Sequence, residues 1–309
     1  MAAYQHLYQS GELRRRVEQT RAILESCQIC PRHCRANRLA GEPGQCCTGS
    51  EAEVSSYGPH FGEEPPLVGR FGSGTIFFTH CNLRCIFCQN YTISQLGEGE
   101  VTGDRQLAAM MLSLQASGCH NINLVSPTHV VPQILAALQL AAGAGLSIPL
   151  VYNSGGYDSV DTLRLLDGIV DIYMPDMKYS DARVAEELSG IKDYPEFNRA
   201  AVKEMHRQVG DLDVDGRGVA QRGLLVRHLV LPRGLAGTEE VARFLAQEVS
   251  TNTYLNVMAQ YRPCYKAFQQ PSLAHALTRE EYNEAVSIAR KHGLHRLDRR
   301  EARTLAMFF

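Results

Sequence analysis

From Gly74 onward the chain alternates short apolar runs, bounded by polar turns, with segments of helical period. No other feature restricts the fold as much. Such alternation reads as βα units stacked in a parallel sheet. Six runs are expected as strands: Thr75–Thr79, Asn121–Ser126, Ile148–Asn153, Ile169–Met174, Leu224–Leu231 and Thr253–Met258. A helix is expected after each. In the first helix, Leu107, Met110, Met111 and Leu114 form one buried stripe, with Asp104 as cap and Gly118 as stop. The last helix opens with the capping-box pattern Thr278-x-x-Glu281 and runs to about His292.

Six βα units suit either a doubly wound open sheet or an incomplete barrel. No G-x-G-x-x-G follows the first strand, and polar residues gather at the strand carboxyl ends, where the loops of a barrel build a site on one face. The expected fold is α/β, a partial (β/α)6 barrel over residues 74–309. Residues 1–73 are expected to supply a helix at Leu13–Leu24, a cysteine-rich metal-binding extension, and a linker at about 52–73 with too much Gly and Pro for regular elements.

The loop after the first strand reads Cys81-Asn-Leu-Arg-Cys85-Ile-Phe-Cys88, a C-x3-C-x2-C spacing. Three thiolates on one loop can hold three irons of a [4Fe–4S] cube and leave the fourth open. A chelating molecule such as S-adenosylmethionine (SAM) suits the open iron, through its amino and carboxylate groups. The alternatives are a zinc knuckle, with His80 completing the set, or three free thiols. Further back, Cys27, Cys30, Cys34 and Cys46 give C-x2-C-x3-C…C, with Cys47 as a spare, and suffice for a four-thiolate zinc site or an auxiliary Fe–S cluster, or else are unligated thiols. Arg32, Arg35 and Arg38 surround that set and can soften its charge.

Each later strand also delivers polar residues to its end: Ser126-Pro-Thr-His129, Asn153-Ser-Gly-Gly-Tyr157, Pro175-Asp-Met-Lys178, Arg227-His228 and Gln260-Tyr-Arg262. Asn153 with Gly155-Gly156 reads as a turn or a ribose or amino-acid contact; Gly also lets the backbone approach a ligand. Asp176 and Lys178 share a face and read as a structural ion pair or as a ligand-facing acid with a carboxylate-binding amine. Arg227 is expected to point inward, toward a ligand carboxylate or a structural acid such as Asp171. His228 is then a satisfied core histidine.

Composition narrows the function. A formal charge of −2, from 31 Lys and Arg against 33 Asp and Glu, provides no global field for nucleic acid, and there is no aromatic-basic stripe. Ten cysteines without a secretory leader point to a reducing, cytoplasmic setting. The apolar stretch Ile134–Tyr152 is broken by Gln139, Gly143, Gly145, Ser147 and Pro149, so helix, turn and strand explain it better than a membrane span. Cys119 and Cys264 are expected as small buried hydrophobes, Cys264 with the option of facing substrate.

The strings CQICPRHCRANRLAGEPGQC, FGEEPPLVG, GSGTIFFTHCNLRCIFCQNYTIS, VYNSGGYD, DIYMPDMKY, VRHLVLP and MAQYRP cover much of the chain. By these the sequence resembles the radical SAM superfamily, and more narrowly the pyruvate formate-lyase activating enzyme-like (PflX-type) group. The resemblance implies that Cys81, Cys85 and Cys88 ligate the cluster, that Phe87 packs near adenine, and that Cys46 rather than Cys47 completes the N-terminal set. It implies that Asp176, Lys178, Arg227 and Asn153 contact SAM or a nearby cation. It also implies reductive cleavage of SAM, hydrogen abstraction from a small molecule, peptide or protein glycine, a flavodoxin or ferredoxin-type donor, and a monomeric enzyme. A redox-sensing Fe–S or zinc protein is the alternative. Two departures stand out: Ser126-Pro-Thr-His129 replaces the activases' Gly-Gly-Glu, and the additional cysteines precede the barrel.

Overall fold

The structure, a computed structural model, describes residues 2–298. Among the described residues nine strands form one connected sheet: β1 Ala52–His60, β2 Ser73–Phe78, β3 Glu100–Thr102, β4 Ile122–Val125, β5 Leu150–Ser154, β6 Ile172–Pro175, β7 Asp213–Val214, β8 Ala220–Leu229 and β9 Tyr254–Met258. The six expected strands are β2, β4, β5, β6, β8 and β9. They pair in parallel, in chain order. Helices cross between them, as parallel neighbours require. The apolar stretch expected as helix, turn and strand is the helix Val131–Gly143, a turn at Gly145 with φ 97°, and β5.

The segment expected as a linker holds a strand. β1 pairs antiparallel with β2 from Val54–Phe78 to His60–Ser73, with a register shift between Val54 and Ser56, and β3 pairs on its other side. Only Ala52 and Val54 of β1 are fully buried. A half-exposed strand carrying Gly58 and Pro59 lacks the apolar run that marks its neighbours. The helix expected at Leu13–Leu24 spans Glu12–Ala22, continues into a 3-10 turn, Ile23–Ser26, and is preceded by a short helix, Tyr4–Gln9. Asp104 is the first residue of its helix, Asp104–Ala116, rather than the cap; the preceding Gly103 N–H donates to Gln106 Oε1 at 3.1 Å.

The sheet buries both faces differently. Leu124, Leu150, Tyr152, Tyr173, Leu224, Val226 and Val257 face the helices and join the main core. Val151, Ile172, Met174, Ala220 and Leu225 point the other way and pack with Leu67 and Leu212 in a separate small cluster. Because side chains alternate along a strand, Asn153, Asp176 and Arg227 follow this second set. Leu67 comes from the short helix Pro65–Val68, so the chain ahead of β2 reaches back to cover the inner face. The adjoining Glu64 accepts from Asn256 Nδ2 of β9 at 2.7 Å.

Candidate active site

β2 ends at Phe78, and the chain then turns through His80, whose φ of 63° lies in the left-handed region, into the three-cysteine loop. That loop is held by backbone bonds to the end of the helix Ala182–Ser189: Arg84 N–H donates to Ser189 O at 3.3 Å and Ile86 N–H to Leu188 O at 2.9 Å. Cys81, Cys85 and Cys88 line one cavity. Each sulfur has its own polar neighbour: Leu83 N–H donates to Cys81 at 3.4 Å, Ser189 Oγ to Cys85 at 3.0 Å, and Ser94 Oγ lies 3.1 Å from Cys88. Burial pushes the Cys81 thiol up to about 12, Cys85 and Cys88 push it the same way, and Leu83 N–H and Lys178 oppose them. Burial likewise raises Cys88. Such thiols ionise on binding a metal, when the metal's charge replaces the proton.

His80 does not join the thiols. Its Nε2 lies 3.4 Å from Glu53 Oε2. A cubane takes its thiolates on separate irons, and three thiols lining one cavity fit that arrangement.

The opposite wall carries the polar ends of β5, β6 and β8. Asp176 Oδ2 accepts from Lys178 Nζ at 2.6 Å and Oδ1 from Arg227 Nε at 3.1 Å. Arg227 Nη2 donates to Asn153 Oδ1 at 2.6 Å, and Nη1 lies 3.6 Å from Glu63 Oε2. Burial alone would raise the Asp176 carboxyl, but Lys178 and Arg227 overcome it and hold the acid below its usual range. Burial would lower Lys178 and Arg227, and Asp176 outweighs it and raises both. Asp176, Lys178 and Arg227 therefore stay charged in a buried site because each offsets another.

Arg227 points inward as expected. Its partners are Asp176, Asn153 and Glu63; Asp171 instead accepts from Leu150 N–H at 2.9 Å and Ala3 N–H at 2.8 Å. His228 points to the helices, with Nδ1 2.7 Å from Met177 O and Nε2 2.9 Å from Thr238 Oγ1, a satisfied core histidine. Gly155 and Gly156 serve the protein's own packing. A side chain on Gly155 would meet Leu83 of the cysteine loop, and one on Gly156, at φ 75°, would meet Asp176 O and Asn198. Of the segment after β4, Ser126 reaches the cavity in a left-handed conformation, φ 59°, whereas Thr128 bonds buried Asp158 at 2.7 Å and His129 bonds Thr79 O at 2.9 Å. Phe87 lines the cavity between Tyr179 and Tyr261, at ring distances of 6.3 and 6.1 Å. Cys119 is buried, and neither it nor Cys264 lines the cavity.

Several residues of the site escaped sequence reading. Tyr194 Oη accepts from Lys178 N–H at 3.0 Å and lies 2.9 and 3.0 Å from the carbonyls of Gly155 and Asp176. Asn198 Nδ2 donates to Gly156 O and Asp176 O at 3.0 and 2.9 Å. Both sit on the helix Tyr194–Val209 and pin the loops after β5 and β6. Their signal was an Asn inside an apolar helical stripe, at Tyr194, Asn198, Ala201 and Met205. Glu63, in the bend before the helix Pro65–Val68, and Ser94 and Ser189, each the last residue of a short helix, had none.

The N-terminal cysteines also come together. Cys27, Cys30 and Cys46 are buried, Cys34 is half-buried and Cys47 is exposed. A Cβ on Gly44 would meet Cys46 Sγ at 3.2 Å and Cys34 Sγ at 3.5 Å.

No protein-family model matches the chain. The chain is 33% identical over 288 residues to the uncharacterized protein MJ0674 of Methanocaldococcus jannaschii, covering 90% of this chain and 78% of that one. Among solved structures it is similar to a radical SAM methyltransferase from Sphaerobacter thermophilus, with a TM-score of 0.51 and 16% identity over 71% of this chain. It spans 64% of that methyltransferase, so the likeness is one of fold. Streptococcus suis SuiB bound to S-adenosylmethionine gives a TM-score of 0.49 and 13% identity, over 71% of this chain and 47% of SuiB.

Proposed function

We propose a function for a chain that belongs to the same family as the uncharacterized protein MJ0674: it is a radical SAM enzyme. The observation that carries this is the meeting of Cys81, Cys85 and Cys88 with Asn153, Asp176, Lys178 and Arg227 around one cavity, at the carboxyl ends of parallel strands. On this reading the parallel strands form the partial barrel.

The three thiols fit a [4Fe–4S] cluster with one open iron, and the facing wall fits SAM. The chemistry these groups supply when bound is reductive cleavage of the sulfonium to methionine and a 5′-deoxyadenosyl radical that abstracts hydrogen. The chain's residues prepare the site for it. Leu83 N–H, Ser189 and Ser94 donate toward the three sulfurs and stabilise thiolate charge, which sets how readily the site accepts an electron. Lys178 has ammonium hydrogens beyond its bond to Asp176 with which to take a ligand carboxylate. Arg227 is already committed to Asp176, Asn153 and Glu63, so its role is to hold Asp176 and Asn153 in place. Phe87, with Tyr179 and Tyr261 behind it, presents an apolar surface for a base and keeps water out.

A flavodoxin or ferredoxin-type donor supplies the electron. Ser126 faces the cavity where the activases carry Gly-Gly-Glu, so activation of a glycyl-radical enzyme is not part of this proposal. The test is anaerobic reconstitution followed by dithionite and SAM. Wild type is expected to bind about four irons at this loop and to release 5′-deoxyadenosine, and each of Cys81→Ala, Cys85→Ala and Cys88→Ala to release none. A full cluster in wild type with no nucleoside product would leave the redox-sensing alternative standing instead.

A further inference from the structure

The N-terminal cysteine segment and the three-cysteine loop are tied by bonds running both ways. Arg32, between Cys30 and Cys34, donates from Nε to Asn82 O at 2.6 Å. Arg84, between Cys81 and Cys85, donates from Nη2 to Gln45 O at 2.7 Å, next to Cys46, and lies 3.3 Å from Cys47 Sγ. Asn82 is anchored from the far side by its bond to Tyr157 O at 2.7 Å. The residues between Cys81 and Cys85 thus rest on the turns that present Cys30, Cys34 and Cys46.

Little regular structure holds those turns. The segment from Cys27 to Cys47 has one 3-10 turn, Arg38–Ala40, and His33, Arg35 and Cys47 adopt left-handed backbone at φ 41°, 58° and 63°. Non-glycine residues persist there only when something else over-determines the conformation.

Two guanidinium groups beside the thiols lack an anion. Arg38 is fully buried; it bonds Gly49 O and His129 O, lies 3.8 Å from Cys27 Sγ, and leaves Nη2 without a partner. Arg32 bonds Asn82 O and Gln45 Oε1, and its Nη2 is also buried without a partner. Among the described residues neither forms an ion pair. Arg38 is a buried cation with no anion, which is costly, and half-buried Arg32 adds a second charge that no anion answers. Four thiolates around zinc, or around an oxidised [4Fe–4S] cluster, carry a net charge of about −2, the counter-charge that two arginines lack.

We infer that Cys27, Cys30, Cys34 and Cys46 form a second, four-thiolate metal centre, offset by Arg32 and Arg38, which positions the three-cysteine loop through Arg32–Asn82 and Arg84–Gln45. Calling that loop the catalytic one rests on the radical SAM reading; the metal centre does not.

The test starts from the full chain carrying Cys81→Ala, Cys85→Ala and Cys88→Ala, loaded anaerobically with zinc in one arm and with iron and sulfide in the other. The expected result is about one zinc, or about four irons, retained per chain, and loss of either on adding Cys30→Ser and Cys34→Ser. Retention in one arm identifies the metal, and retention in neither overturns the centre, whatever the outcome of the SAM-cleavage assay. Positioning is read by amide hydrogen exchange of a peptide spanning 81–88. Removing the metal with a chelator is expected to speed exchange there by roughly tenfold, as loss of one or two restraining hydrogen bonds would. In the wild-type cysteine background, Arg32→Ala is expected to keep the N-terminal metal and still speed exchange at 81–88. Unchanged exchange in both cases overturns the positioning role.

Discussion

Asp176 and His129 show how differently burial acts on two side chains a few strands apart. Asp176 keeps its charge because Lys178 and Arg227 answer it. His129 has only the Thr79 carbonyl, so burial pushes it down to about 3, with Arg38 and His80 adding to the effect. Its folded pKa lies below the ordinary value, so the unfolded chain takes the proton first as pH falls. Stability from this group is full above about 6.5 and is lost as pH drops toward 3. The stability advantage of wild type over His129→Gln is expected to shrink by about 2 kcal/mol between pH 7 and pH 5, read from urea midpoints. A gap that stays constant would mean His129 titrates normally. At this scale the candidate site was legible where a polar residue interrupts an apolar strand, as Asp176, Lys178 and Arg227 do. It was illegible for Glu63, Ser94 and Ser189, whose roles depend on which bend or helix end the chain brings against the site.

Elements were legible where their ends carry their own chemistry. The last helix, Arg279–Lys291, is closed by the bonds its sequence implies: Glu281 N–H donates to Thr278 Oγ1 at 3.2 Å and Thr278 N–H to Glu281 Oε2 at 2.9 Å. Glu281 also accepts from Arg233 N–H at 2.7 Å, joining the helix to the turn after β8. Thr278→Ala is expected to cost about 1 kcal/mol, measured by chemical denaturation, with metal binding unchanged. The six parallel strands were legible for a related reason: a strand buried on both faces must be apolar along its length. β1 was not, because its stability comes from pairing with β2 and not from its own side chains.

Across the whole molecule, Leu67 shows what long-range packing adds. It is fully buried in the inner cluster with Val151, Ile172, Met174, Leu212, Ala220 and Leu225, all distant in sequence. Leu67→Ala is expected to cost about 2–5 kcal/mol, read as a lower denaturant midpoint, because the rigid strands around it cannot collapse into the space. Among the described residues no helix is long and apolar enough to cross a membrane, in keeping with the broken pattern between Ile134 and Tyr152.

The sequence by itself determined the parallel order of β2, β4, β5, β6, β8 and β9 and the chemistry available at their ends, because periodicity and residue type act locally. It also determined the thiol spacing at Cys81, Cys85 and Cys88. Tertiary structure decided that Arg227 pairs with Asp176, Asn153 and Glu63, that His80 turns to Glu53, and that Arg32 and Arg84 join the two cysteine segments. Those choices rest on charges and donors that meet only after folding, where a buried ion must find its partner among residues the chain order keeps apart.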